Sequence, residues 1–156
     1  YRTRGVTESL ASREQIYKWY SAVAHHDEAP MYHDVAETLS VLARGELYCV
    51  LAVVSAQKSS VLARQLEKVA HHFDVIIGDQ QDKTPEIERL CDLHKLSRRR
   101  VWYVGDFGAD MRDARRAKVQ AVGITRSRPV HSILRRAGAH HVIDHLEELL
   151  RIVYPH

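Results

Sequence analysis

A chain of 156 residues, 45% hydrophobic and 28% charged, is long enough for one well-covered core and is not the composition of a disordered protein. No apolar run reaches membrane-spanning length, and the opening Tyr1-Arg2-Thr3-Arg4-Gly5 lacks the parts of a signal sequence. The net charge is +3, with arginines bunched at 98–100, 112–116, 126–128 and 135–136. No aromatic residues interleave with them as a stacking platform would need, so they read as a solvated face and not as a nucleic-acid surface.

Residues 1–11 carry little pattern. Ser12 with Gln15 forms a capping box, and Ile16, Tyr17, Tyr20 and Val23 follow at helical spacing, which predicts an amphipathic helix over 12–25. Pro30 breaks the pattern. A second helix is predicted over 34–44, with Val35, Leu39 and Leu42 inward and Gly45 as its stop.

From there the pattern alternates. Strands are expected at 48–54, 73–77, 101–105, 120–125 and 141–143, and helices at 60–71, 84 onward, 109–117, 129–138 and 146–153. Thr84-Pro85 reads as an N-cap followed by an N1 proline. Such alternation predicts an α/β fold with a parallel sheet wound by crossover helices. The composition shift near Pro30 divides a helical leader, 1–29, from an α/β body, 30–156.

Two cysteines, Cys49 and Cys91, form no C-x-x-C pair and suit reduced, buried thiols in a cytoplasmic protein. The 11 histidines include adjacent pairs at 25–26, 71–72 and 140–141. Adjacent residues diverge on a helix, so the histidines read as surface or packing residues.

Three polar signals fall where strands end. Ser55 follows the strand at 48–54, Lys83 the one at 73–77 and Asp106 the one at 101–105. In a parallel sheet all three share the carboxyl rim, where ligands bind. A hydroxyl, an ammonium and a carboxylate converging there suit a phosphoryl group. Asp106 and Asp110, hard oxygen ligands with no Cys or His close by in sequence, suit Mg²⁺. Asp110 alone also has a simpler role, as an acidic start to a helix.

With these motifs the chain resembles the haloacid dehalogenase-like hydrolases, especially their phosphoglycolate-phosphatase-like members, from Pro30 to about Leu150. Val53-Val54-Ser55-Ala56 is similar to the family's second motif, with Ser55 as the phosphate-binding hydroxyl and Ala56 where Asn is common. Lys83-Thr84-Pro85 resembles the third motif, with Lys83 as its lysine. Gly105-Asp106-Phe107-Gly108-Ala109-Asp110 resembles the fourth, with Phe107 in place of a small hydroxyl residue. The resemblance implies a three-layer Rossmann-like core, with Lys83, Asp106 and Asp110 catalytic and Ser55, Ala56 and Lys83 on the phosphate. Asp106 would be the Mg²⁺ ligand, and Asp110 a ligand acting indirectly or through water. The leader at 1–29 would be a remnant of the family's helical cap.

One motif is missing. The family's first strand ends in Asp-x-Asp, which supplies the covalent nucleophile and the general acid/base, and no apolar run between Tyr1 and Pro30 ends in an aspartate. That strand lies at the centre of the family's sheet, between those that here are 48–54 and 101–105. The chain is therefore expected to have a gap, filled by residues 1–11, a partner chain or a second copy, since open strand edges are costly. The lack of an initiating Met and the start within what reads as cap helix favour a fragment over a natural non-catalytic relative. The implied function is a Mg²⁺-dependent phosphomonoester hydrolase acting on a small phosphorylated metabolite, or the C-terminal part of one. Its alternative is an inactive binding or scaffold protein of the same fold. A phosphosugar mutase or a dehalogenase is a third possibility, and the acidic pair at 106 and 110 favours phosphate and metal over metal-free dehalogenation.

Overall fold

The computed structural model describes residues 31–45 and 49–155, all but Met31 within the compact unit Tyr32–His156. The predicted helix over 12–25 and the leader 1–29 lie outside the described residues. In chain order the elements are α1 (His33–Arg44), β1 (Ala52–Val54), α2 (Ser59–Leu66), β2 (Val75–Ile77), α3 (Thr84–Leu93), β3 (Trp102–Gly105), α4 (Gly108–Arg116), β4 (Gln120–Ile124), α5 (Arg128–Arg136), β5 (His141–Ile143) and α6 (Leu149–Val153). No described helix is long and apolar enough to cross a membrane.

All strand pairs are parallel, but the strands form two sheets. β1 pairs with β2, Ala52 opposite Val75, and β3-β4-β5 form a second sheet with Trp102 opposite Gln120 and Val122 opposite His141. No described strand joins β1 to β3. Among the described residues no strand stands at the place where the gap is expected, and a hydrogen bond from the Tyr103 hydroxyl to the Val54 carbonyl (3.1 Å) links β3 to β1.

β4 shows why this is a layered fold. Ala121 joins a cluster with Ile87, Met111, Ala114 and Leu134, whereas its neighbour Val122 joins Leu42, Ile143 and Leu149. Successive side chains of a strand point to opposite faces, so helices cover the sheet on both sides. Burying Leu134 completely removes enough apolar surface to contribute roughly 1.5–3 kcal/mol.

Three local expectations change. The helix expected over 60–71 ends at Leu66, and a turn and a 3₁₀ segment (Ala70–His72) follow, tucking Val69 into the interior at 1% exposure. Gly45 stops α1 without a left-handed turn, at φ −58°. An added Cβ there would press on the Tyr154 hydroxyl and lie 3.2 Å from the Val41 carbonyl oxygen, so glycine lets the chain leave α1 close beside Tyr154. Thr84 does not cap α3 but is its first residue. Its N–H is met by the carboxylate of Asp82 at 3.0 Å, since Pro85 has no N–H to satisfy and the acceptor moves upstream.

Candidate functional site

The site forms where β2 and β3 release the chain. Lys83, beyond β2, points its Nζ at Oδ1 of Asp110, in the first turn of α4, at 2.5 Å. Both side chains are largely buried, with exposures of 15% and 5%. This contact places the ends of β2 and β3 on one rim. The other carboxylate oxygen of Asp110 accepts the Phe107 N–H at 3.1 Å, capping α4 from within its first turn. Gly105 makes this possible, because a Cβ there would lie 2.4 Å from the Cβ of Asp110. The Gly-Asp corner thus has a steric cause as well as a chemical one.

Asp106 stands exposed on the rim between them. Its pKa is raised, mainly because the surrounding protein strips water from one side of the carboxylate. The negative charge of Asp110 raises it further, while its own backbone N–H and Lys83 pull it down. Burial likewise pushes the Tyr103 hydroxyl well above its ordinary value, helped by the charges of Asp110, Asp113 and Asp106. Tyr103 is therefore a neutral donor among three carboxylates.

Ser55 is half-buried at the end of β1, and its N–H pairs with the Ile77 carbonyl at 2.9 Å. Its hydroxyl accepts the Gln57 N–H at 3.1 Å, which shapes the turn and leaves the O–H proton to donate elsewhere. Ala56 follows in the same turn, half-buried. Because β1 runs parallel to β2, Ser55 lies on the same rim as the Lys83–Asp110 pair.

Three further residues complete the site. Tyr103 ties the end of β1 to the acidic cluster. Asp113 is buried at 4% exposure and accepts the Lys83 N–H at 3.3 Å and Arg116 Nη2 at 2.5 Å. Arg116 also reaches Asp82 (3.1 Å) and the Thr84 hydroxyl (3.2 Å), so α4 grips the loop that carries Lys83. A trace of this was in the sequence, where Asp113 falls on the same helical face as Asp110 and Ala114, facing inward. Nothing in the sequence marks Tyr103 beyond its place in an apolar strand.

Among the described residues, no group of three or more His, Cys, Asp or Glu side chains is arranged to hold a metal. Asp110 is engaged by Lys83 and Phe107, so Asp106 is the carboxylate facing outward. A Mg²⁺ ion keeps several waters and takes only one or two carboxylates from protein, which this donor set can supply.

Residues 2–124 match the family model described as haloacid dehalogenase-like hydrolase. The chain is 26% identical over 146 residues to PpaX of Caldanaerobacter subterraneus subsp. tengcongensis, a protein named for pyrophosphatase activity. That match takes in 89% of this chain and 66% of its relative, slightly less than two thirds of the relative's length. Solved structures share the fold. A haloacid dehalogenase-like hydrolase of Streptococcus pneumoniae superposes with a TM-score of 0.74 at 18% identity, covering 95% of this chain and 73% of that one. A structure described as a predicted phosphoglycolate phosphatase, from Haemophilus somnus, gives 0.68 at 21% identity, covering 94% and 69%.

Proposed function

The chain belongs to the haloacid dehalogenase-like hydrolases, and from that premise we propose that it is a Mg²⁺-dependent phosphomonoester hydrolase, or the C-terminal part of one, acting on a small phosphorylated metabolite in the cytoplasm. The observation that carries this reading is the buried Lys83–Asp110 pair beside Asp106 on the rim of a parallel sheet. An ammonium held in place by a carboxylate, next to a second carboxylate that its surroundings leave undercompensated, is an arrangement suited to an anion and a cation together.

The roles follow from the contacts. Ser55 donates its hydroxyl proton to a phosphate oxygen while Gln57 fixes its orientation. Lys83 neutralises charge on the equatorial oxygens, with Asp110 and Asp113 fixing its side chain and backbone. Asp106 would hold Mg²⁺, which would supply positive charge to offset the charge developing on the phosphoryl oxygens. The described residues include no carboxylate on a strand between β1 and β3, so the nucleophile of an aspartyl-phosphate mechanism would enter with whatever occupies that position. The same observation supports the second reading, a phosphate-binding relative without turnover. Free thiols at Cys49 and Cys91 are in keeping with a reducing compartment.

Equilibrium binding tests the grip without needing turnover. With Mg²⁺ present, inorganic phosphate should bind saturably, and both Lys83→Ala and Asp106→Asn should weaken binding roughly tenfold or more, the effect of losing one charge-assisted contact of about 1.5–3 kcal/mol. Phosphate affinity indifferent to both substitutions would end the proposal. The chain by itself should hydrolyse an aryl phosphate poorly. Appreciable hydrolysis abolished by Asp106→Asn would show that it already carries its nucleophile.

A further inference from the structure

Ser55 follows a strand of only three residues, so the sheet alone does not fix where its hydroxyl points. Among the described residues that hydroxyl has one hydrogen-bond partner, the Gln57 N–H at 3.1 Å. The turn that carries both is held by the segment leaving β2. The Ile77 carbonyl accepts the Ser55 N–H (2.9 Å), the Gln57 carbonyl accepts the Asp79 N–H (2.8 Å) and the Ser55 carbonyl accepts the Gln80 N–H (2.9 Å). The two loops lie so close that a Cβ on Gly78 would be 2.8 Å from both the Gln57 carbonyl oxygen and the Ser59 nitrogen.

Asp79 is the pivot of this lacing. Its φ is +61°, in the left-handed region that costs an L residue energy and that Asp tolerates better than most. The other described non-glycine residues with positive φ, Lys95 and Lys118, follow the ends of α3 and α4, where a left-handed residue commonly closes a helix. Asp79 follows a strand and has no such reason. A left-handed residue turns the N–H groups on either side of it the same way, whereas along a strand they alternate. The Asp79 and Gln80 N–H groups therefore both reach the Ser55 turn. The Asp79 carboxylate closes the far end of that turn, accepting the Ser59 N–H at 3.1 Å and the Ser59 hydroxyl at 2.7 Å. Those two bonds hold its carboxyl below the ordinary value, so it stays an acceptor at neutral pH. We propose that Asp79 is the positioning residue of Ser55, its left-handed backbone and its carboxylate together shaping the 55–59 turn so that Ser55 presents its hydroxyl proton to phosphate. Asp79 acts through the turn and not on the phosphate, and the inference rests on the phosphate-binding role proposed above for Ser55.

Three substitutions in the whole chain separate the backbone from the carboxylate. Asp79→Asn keeps the tolerance for positive φ and one acceptor oxygen, Asp79→Gly keeps only the tolerance, and Asp79→Ala loses both. Each is made with Ser55 intact and with Ser55→Ala, and inorganic phosphate is titrated in the presence of Mg²⁺. With Ser55 intact, Asn should bind within about twofold of the unaltered chain, Gly about fivefold more weakly and Ala about tenfold or more weakly. In the Ser55→Ala background the same changes should leave phosphate affinity where that substitution alone puts it, because the hydroxyl they position is gone. Amide exchange without phosphate gives a second readout: Gln57 should exchange about tenfold faster or more in Asp79→Gly and Asp79→Ala, with Leu90 in α3 unchanged. Equal losses of affinity with and without the Ser55 hydroxyl would overturn the inference, since Asp79 would then only support the fold. Unchanged exchange at Gln57 would overturn it too. An unaltered chain that binds no phosphate would instead end the phosphatase reading, and Gln57 exchange would still decide whether Asp79 shapes the turn.

Discussion

The two sheets of this protein are built to different standards. The β3-β4-β5 side holds Met111, Ala114, Ala121, Val122 and Leu134 at 0% exposure, with helices on both faces. The β1-β2 side has two strands of three residues each, and Ile76, at the middle of β2, is 39% exposed. The candidate site spans both. Asp106 and Asp110 belong to the well-packed side, Ser55 and Lys83 to the sparse one. The well-packed side thus presents the acidic groups, while Ser55 and Lys83 come from the sparser side, joined to it by the apolar contacts of Ile87 and Cys91 in α3 and by polar ones such as Lys83 to Asp110 and Tyr103 to Val54.

The contrast in packing gives the largest expected effect. Leu134→Ala should cost about 2–5 kcal/mol, the range for a buried Leu whose cavity cannot collapse, whereas Ile76→Ala should cost well under half as much because water already reaches the side chain. Urea denaturation of the two variants checks this. Equal losses would mean that the two sheets are equally part of one core.

Acid should act unevenly as well. Asp34 in α1 is buried at 4% exposure, accepts the Leu146 N–H at 2.6 Å and pairs with Arg126 at 3.2 Å, which itself stacks on Tyr32. Burial alone would raise its pKa, but the Leu146 N–H, its own N–H and Arg126 outweigh that and leave it below the ordinary 3.8. A carboxyl depressed in the folded state contributes stability that is complete above its unfolded pKa and lost as pH falls through the folded one. Stability measured from pH 6 down to pH 2 should therefore fall on the acid side. Asp34→Asn should flatten part of that slope while lowering stability at pH 6 by about 1–3 kcal/mol, the cost of an imperfectly met buried N–H. An unchanged slope would remove Asp34 from the account.

What the sequence disclosed follows the same division. The β3-α4-β4 stretch was legible because burial on both faces writes itself as apolar runs, and because Gly105-Asp106 needs glycine where Asp110 closes in. The lack of a described strand between β1 and β3 agrees with the missing motif, since no apolar run between Tyr1 and Pro30 ends in an aspartate. The polar braces were not legible. Asp34 and Asp113 look like ordinary acidic helix positions until the fold brings Leu146 and Lys83 beside them, across 112 and 30 residues. Gly45 ends α1 as its sequence position predicts, but without the left-handed turn, and its neighbour Tyr154 lies too far along the chain for local sequence to disclose.

The smallest effect is the most informative about how the halves are joined. The Tyr103 hydroxyl donates to the Val54 carbonyl, and Tyr103→Phe removes that donor while leaving the ring in place. A single neutral hydrogen bond contributes about 0.5–1.5 kcal/mol, so a modest loss of stability is expected. The useful readout is local. Freeing the Val54 carbonyl should speed amide exchange in β1 and β2 several-fold while leaving β4 and β5 unchanged. If exchange rose equally in all five strands, the two sheets would be opening as one unit, and the distinction between a well-packed side and a sparser one would fail.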